Sequence, residues 1–203
     1  MKKSKTSIYE MLVVVNNNVH DDVMQTQATR KLLAFLTQLD EPFRLVSSVR
    51  DLRDIIGDSG VSGIILSGSD LRLTEPLCPE KIAVTNTLLS NCRVPVLGIC
   101  FGHQLLALLG GGELSRLPQP RQGLARVGPV LSNPVVDEGT YMQNHKDYVT
   151  KVPFGWIPLA QTGDVVEIMC HKSKPWIGVQ FHPELSGFDG RRVLWNFLQL
   201  CWE

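Results

Sequence analysis

"VLGICFGHQLLALLGG", residues 96–111, joins a strand to a helix without a loop between them. "VPVLGIC" (94–100) reads as a buried strand, and from Phe101 the apolar residues follow helical spacing to Leu109. A strand that passes directly into a helix is the repeating unit of an α/β sheet. At the junction Cys100 stands between Gly98 and Gly102. Gly-x-Cys-x-Gly is the thiol version of the Gly-x-Ser-x-Gly turn that presents a nucleophile. The glycines remove side chains where strand and helix would collide. The helix N-terminus favours negative charge beside it, and the Phe101 N–H points the same way, where it can help hold an oxyanion. The alternative is a buried structural thiol, a common fate of a free cysteine.

Outward from this junction the same alternation recurs. "MLVVVN" (11–16), "FRLVSS" (43–48) and "VSGIILSGS" (61–69) read as further strands. Helices are expected from Asp21 to Leu39 (with Asp21 or Asp22 as N-cap), over the short "VRDLRDII" (49–56), and from Pro79 to Leu89. The pattern predicts an open, mostly parallel sheet with helices on both faces. Ligands of such sheets sit outside the carboxyl ends of the strands, which is where "LSGSD" and "GICFG" fall. The second half carries five short strand-like runs: "LARVGPVL", "TYMQNH", "WIPLAQT", "VVEIMCH" and "PWIGVQF". They suggest antiparallel additions to the same domain. "GRRVLWNFLQLCW" (190–202) closes the chain as a helix, and residues 1–203 read as a single domain.

Composition narrows the partners. The 203 residues hold 20 Lys plus Arg and 20 Asp plus Glu, so nothing argues for nucleic acid or an anionic membrane. The apolar run after the basic start is too short to span a bilayer. The 5 cysteines are widely spaced and form no C-x-x-C pair. That reads as reduced thiols in a cytoplasmic compartment, with no zinc site or disulfide framework.

A nucleophilic cysteine needs a base. Of the 5 histidines, His20 and His171 lie in polar loop contexts and read as surface residues. His103 is on the same helix as Cys100 and suits a supporting hydrogen bond. His182, in "GVQFHPEL" (178–185), follows a strong strand, and Glu184 two residues on can orient its imidazole. Gly68, in "SGIILSGSD" (62–70), ends another strand, and its N–H with that of Phe101 makes a two-donor oxyanion hole.

Taken together these segments resemble the class I glutamine amidotransferase domain. The likeness rests on "GIILSGSD" (63–70), "VPVLGICFGHQLLALLGG" (94–111), "QNHKDYVTKVPFGW" (143–156) and "WIGVQFHPEL" (176–185), in the family's order and over nearly the whole chain. The resemblance implies a flavodoxin-like α/β fold and a Cys-His-Glu triad at Cys100, His182 and Glu184. It implies an enzyme that hydrolyses the side-chain amide of glutamine through a thioester. Gln104 matches the position that holds the substrate glutamine, Asn144 and His145 the segment at its head group, and Gly68 and Phe101 the oxyanion positions. No metal or other cofactor is implied. The ammonia is implied to pass to a partner synthetase, because this chain has neither a G-x-x-x-x-G-K-[ST] loop nor the Ser-Gly-Gly-Val-Asp-Ser loop of ATP pyrophosphatases.

"HKDYVTKVPFGW" looks most like the glutaminase part of GMP synthetase, whereas "QNH" leans towards carbamoyl-phosphate synthetase. Two departures stand out. The usual Ser-Gly-Gly-Pro reads Ser67-Gly68-Ser69-Asp70, and "LPQPRQGLARV" (117–127) lacks the Glu-Tyr-Gly or Glu-Phe-Gly pattern of GMP synthetases. The altered loop leaves two alternatives: a free-standing hydrolase of γ-glutamyl peptides or conjugates, and a non-catalytic regulatory module that keeps the fold.

Overall fold

The fold is set by runs of apolar residues too regular to be satisfied on one side. In the first strand, β1 (Met11–Val15), Leu12, Val13, Val14 and Val15 are all fully buried. Because side chains alternate across a strand, Leu12 and Val14 enter one core while Val13 and Val15 enter another. Each buried valine contributes about 1.5–3 kcal/mol of burial. The sheet must therefore be covered on both faces.

The computed structural model describes residues 11–18, 26–52, 55, 60–75, 79–90 and 92–203. Seven strands form the main sheet in the order β2-β1-β3-β4-β9-β8-β7. β2 (Phe43–Val46), β1, β3 (Val61–Leu66), β4 (Val96–Ile99) and β9 (Trp176–Val179) run parallel. β8 (Val165–His171) and β7 (Trp156–Thr162) extend the sheet antiparallel. Helices α1 (Gln27–Gln38) and α4 (Gly187–Cys201) supply Leu32, Leu36, Val193 and Phe197 to the core on one face. On the other, Val84 of α2 (Pro79–Leu89) and Leu106 of α3 (Phe101–Leu109) pack against β3 and β4. The expected doubly covered parallel sheet is thus present, and α2 and α3 have the expected bounds.

Three expectations need correction. Helix α1 opens at Gln27, with Thr26 as an extended N-cap, so neither Asp21 nor Asp22 caps it; both lie outside the described residues, as do His20 and Cys78. The short helix over 49–56 is a single 3₁₀ turn, Val49–Leu52, within the described part. The third concerns the second half, where "PWIGVQF", expected among the antiparallel additions, holds β9, which runs parallel to β4; β5 (Glu113–Val127) and β6 (Gly139–Lys151) are antiparallel as expected but form a separate ribbon. Of "LARVGPVL" only Leu124 to Val127 is strand, the end of a longer one that starts at Glu113, and the rest of the run leaves it. The register shifts between Arg116 and Arg121, where Pro118 and Pro120 fall. A two-stranded ribbon has only edge strands, so prolines without an N–H are tolerated there. The ribbon meets the sheet through an isolated bridge between Met142 and His182, with the His182 N–H donating to the Met142 carbonyl at 2.8 Å. That contact lays β6 across the carboxyl ends of β4 and β9.

Candidate active site

Cys100 sits at the carboxyl end of β4 with φ 49° and ψ −99°. A non-glycine residue in this region costs about 1–3 kcal/mol, and the surroundings must hold it there. They do: its N–H donates to the Val179 carbonyl at 2.8 Å, and its carbonyl accepts from the Gln104 N–H at 3.1 Å. The flanking glycines are required by close approach. A Cβ on Gly102 would lie 2.3 Å from the Leu66 carbonyl oxygen, and one on Gly98 would lie 2.8 Å from the Gly102 carbonyl. The sharp turn is the consequence of strand and helix touching backbone to backbone.

His182 follows β9 and caps the 3₁₀ turn Pro183–Leu185 that holds Glu184. Its Nδ1 lies 2.8 Å from Glu184 Oε1, and both side chains are almost wholly buried. Burial disfavours the imidazolium, but the Glu184 carboxylate and then Cys100 outweigh it and hold His182 well above its ordinary 6.5.

Gly68 brings the third strand end into place. A Cβ there would lie 2.8 Å from His182 Cε1 and 3.7 Å from Cys100 Cβ, so imidazole, thiol and glycine turn meet at one point. Ser69 is a working part of this turn. Its hydroxyl donates to the Asn17 carbonyl at 2.8 Å and accepts from the Leu71 N–H at 3.0 Å. Asn17 in turn donates its side-chain amide to the Ser67 carbonyl at 2.8 Å. The serine in place of the usual glycine staples the loop to the end of β1.

Gln104, Asn144 and His145 border the same cavity of about 360 Å³ as Gly68, Cys100, Phe101 and His182. The Asn144 side chain is exposed, whereas its carbonyl lies 3.9 Å from Cys100 Sγ. His145 Nδ1 lies 3.1 Å from the Asp147 carbonyl; a carbonyl only accepts, so Nδ1 carries the proton. Burial holds His145 down to about 4, so it is neutral near pH 7. Its Nε2 is buried without a hydrogen-bond partner. Glu184 alone of the eight expected site residues does not line this cavity; it stands behind His182.

Residues 13–200 match the model of the family "Glutamine amidotransferase class-I". The chain belongs to the class-I glutamine amidotransferase family. It is similar to one of the subunits of the glutamine-hydrolysing GMP synthase of Methanocaldococcus jannaschii, at 35% identity over 94% of this chain and 97% of the relative. The corresponding GMP synthase subunit of Methanococcus maripaludis is also 35% identical, over the same shares. Among solved structures, a Thermotoga maritima glutamine amidotransferase shares the fold with a TM-score of 0.63, 17% identity, and coverage of 94% of this chain and 83% of that one. The expectation of a GMP-synthetase-like glutamine amidotransferase stands.

Two residues of this candidate site were given no role from the sequence. Asp147 is almost fully buried; its carboxylate accepts from the Thr74 N–H at 3.0 Å and the Thr74 hydroxyl at 2.8 Å, tying the loop after Gly68 to the ribbon. Gln180, fully buried, donates from Nε2 to Cys100 Sγ at 3.7 Å. The one signal in the sequence was a glutamine inside the apolar run "WIGVQF". His103 plays the supporting part expected of it: its Nε2 bonds the Val166 carbonyl at 3.1 Å, and burial pushes it down to about 3. His171, expected at the surface, is half-buried between Trp156 and Trp176. Its Nδ1 accepts from the Ser173 and Lys174 N–H groups, which closes the β8–β9 turn. Among the described residues no group of three or more His, Cys, Asp and Glu could hold a metal ion, and no helix is long and apolar enough to cross a membrane.

Proposed function

We propose that Cys100, His182 and Glu184 form the catalytic triad of a glutaminase subunit, and that the ammonia passes to a separate synthetase of the GMP synthase type. The observation that carries this is the meeting of His182 and Cys100 at Gly68, with Glu184 2.8 Å behind the imidazole. Cys100 Sγ attacks the side-chain carbonyl carbon of glutamine. The carbonyl oxygen becomes an oxyanion, received by the N–H groups of Gly68 and Phe101. The His182 imidazolium gives its proton to the departing nitrogen, and ammonia leaves the γ-glutamyl thioester. Neutral His182 then takes a proton from water as the water attacks. The thioester breaks to glutamate, and thiolate and imidazolium are restored. Glu184 holds the imidazole in one tautomer and balances its charge.

Substrate recognition falls to Gln104, Asn144 and His145. The unpartnered His145 Nε2 is an acceptor for an N–H of the amino-acid head group. The similarity to GMP synthase subunits supports a synthetase partner. Glutamate release from saturating glutamine tests the proposal, with a γ-glutamyl peptide and Cys100→Ala beside it. Cys100-dependent release from glutamine, increased when the synthetase chain of a GMP synthase is added, is the expected result. Turnover of the peptide in preference to glutamine would instead make this a γ-glutamyl hydrolase.

A further inference from the structure

Three buried amide and carbonyl groups form a chain that ends on the nucleophile. Gln104 Nε2 donates to the Asp147 carbonyl at 2.7 Å and to Gln180 Oε1 at 3.2 Å. Gln180 Nε2 faces Cys100 Sγ at 3.7 Å. The Asp147 carbonyl can only accept, so the Gln104 amide is oriented with its NH₂ inward. Gln180 must then present its oxygen to Gln104, and only its NH₂ is left for the sulfur. The main chain of Gln180 is also held, its N–H donating to the Glu167 carbonyl at 2.8 Å. A backbone carbonyl of the ribbon therefore dictates, through two amides, that Cys100 Sγ receives a hydrogen-bond donor.

We infer that Gln180 is a positioning residue for the nucleophile, donating an N–H that favours the anionic sulfur and fixes its direction of attack. A neutral donor suits this place, since it stabilises negative charge without competing with His182 for the proton. The inference rests on the reading of Cys100 as nucleophile. The titratable and charged side chains that share the cavity with Cys100 are Asp70, Arg72, His145, Lys146, Asp147 and His182, with Glu184 behind His182. His103 of α3 is also buried, as is Glu167 of β8, whose carbonyl accepts from the Gln180 N–H. Gln180→Met neither adds nor removes a charge among these groups, so a change in the sulfur's pH behaviour in that variant reports the amide.

The experiment is the pH dependence of alkylation of the Cys100 peptide by iodoacetamide, read by mass spectrometry in the full chain. Gln180→Met keeps the volume and removes the donor. Gln180→Glu keeps both the shape and the acceptor for Gln104, but turns an oxygen towards the sulfur. Relative to the native chain, the profile moves to higher pH by about one unit in Gln180→Met and further in Gln180→Glu. Glutamate release falls about tenfold in kcat with KM within about twofold. An unchanged alkylation profile in the folded Gln180→Met protein, whatever its activity, overturns the inference and leaves Gln180 a packing residue. Failure of the nucleophile reading is separately visible, as glutamate release that survives in Cys100→Ser.

Discussion

His182 Nδ1 and Glu184 Oε1 lie 2.8 Å apart within one short turn, and neither group has appreciable access to water. The carboxylate therefore acts on the imidazole through a medium of low polarity, where the pair is strong and a missing partner is costly. Glu184→Gln keeps a hydrogen bond but removes the charge that raises His182. The expected result is a loss of about 10²–10⁴ in kcat for glutamate release, with fold retained by circular dichroism. Cys100→Ala abolishes release. Near-native kcat in Glu184→Gln would remove Glu184 from the triad.

Gly68 and Gly102 separate function from folding. A methyl on Gly68 meets the edge of the His182 ring, a side chain that can turn aside. Gly68→Ala is expected to fold with nearly native stability and to lose about 10²-fold in kcat by displacing the imidazole. A methyl on Gly102 meets the main chain of Leu66 at 2.3 Å, which cannot yield without parting β3 from α3. Gly102→Ala costs several kcal/mol, on the order of other overpacked cores. Denaturant unfolding of the two variants, beside their kinetics, checks the contrast.

Acid stability follows from the buried histidines. His103 is pushed from 6.5 to about 3 and His145 from 6.5 to about 4, chiefly by burial. In the unfolded chain both bind protons near 6.5, so between there and the folded values the unfolded state holds more protons. Each contribution is fully present above about pH 6.5 and is lost as the pH falls, by up to about 1.4 kcal/mol per pH unit per histidine. His182 is shifted the other way. Its contribution is present below about 6.5 and lost as the pH rises through its raised folded value. Urea unfolding between pH 7 and pH 4 should show a steep fall, made shallower by His103→Gln. An equal slope in that variant would contradict the assignment.

Glu167 is nearly inaccessible in β8 and is held by Arg121 at 2.6 Å, with Gln143 Nε2 at 3.3 Å on its other oxygen. Burial raises its pKa, opposed by these partners. Arg121→Ala leaves a buried carboxylate without its cation and is expected to cost about 3–5 kcal/mol. The double variant Arg121→Ala/Glu167→Gln recovers much of that loss. Thermal unfolding of the two proteins at pH 7 decides it.

Much of the site was legible because its parts are local. The glycines around Cys100 mark a backbone turn, and His182 and Glu184 are two residues apart, so spacing alone relates them. Gln104 lies one helical turn after Cys100. Ser69 was legible only as a departure from the family pattern; its hydrogen bond to Asn17 spans 52 residues and has no trace in the local sequence.

The strand–helix alternation, the two-faced burial of β1 and the strained turn at Cys100 are already written in the order of the residues, since each depends on side-chain period or on sterics between near neighbours. That β5 and β6 leave the sheet to lie across its carboxyl end is settled by long-range packing. Strand pairing is chosen by surfaces distant in sequence, and an alternating pattern does not name its partner. The same holds for the amide on the sulfur. Gln180 and Cys100 are 80 residues apart, and β4 and β9 become neighbours only when the sheet is complete.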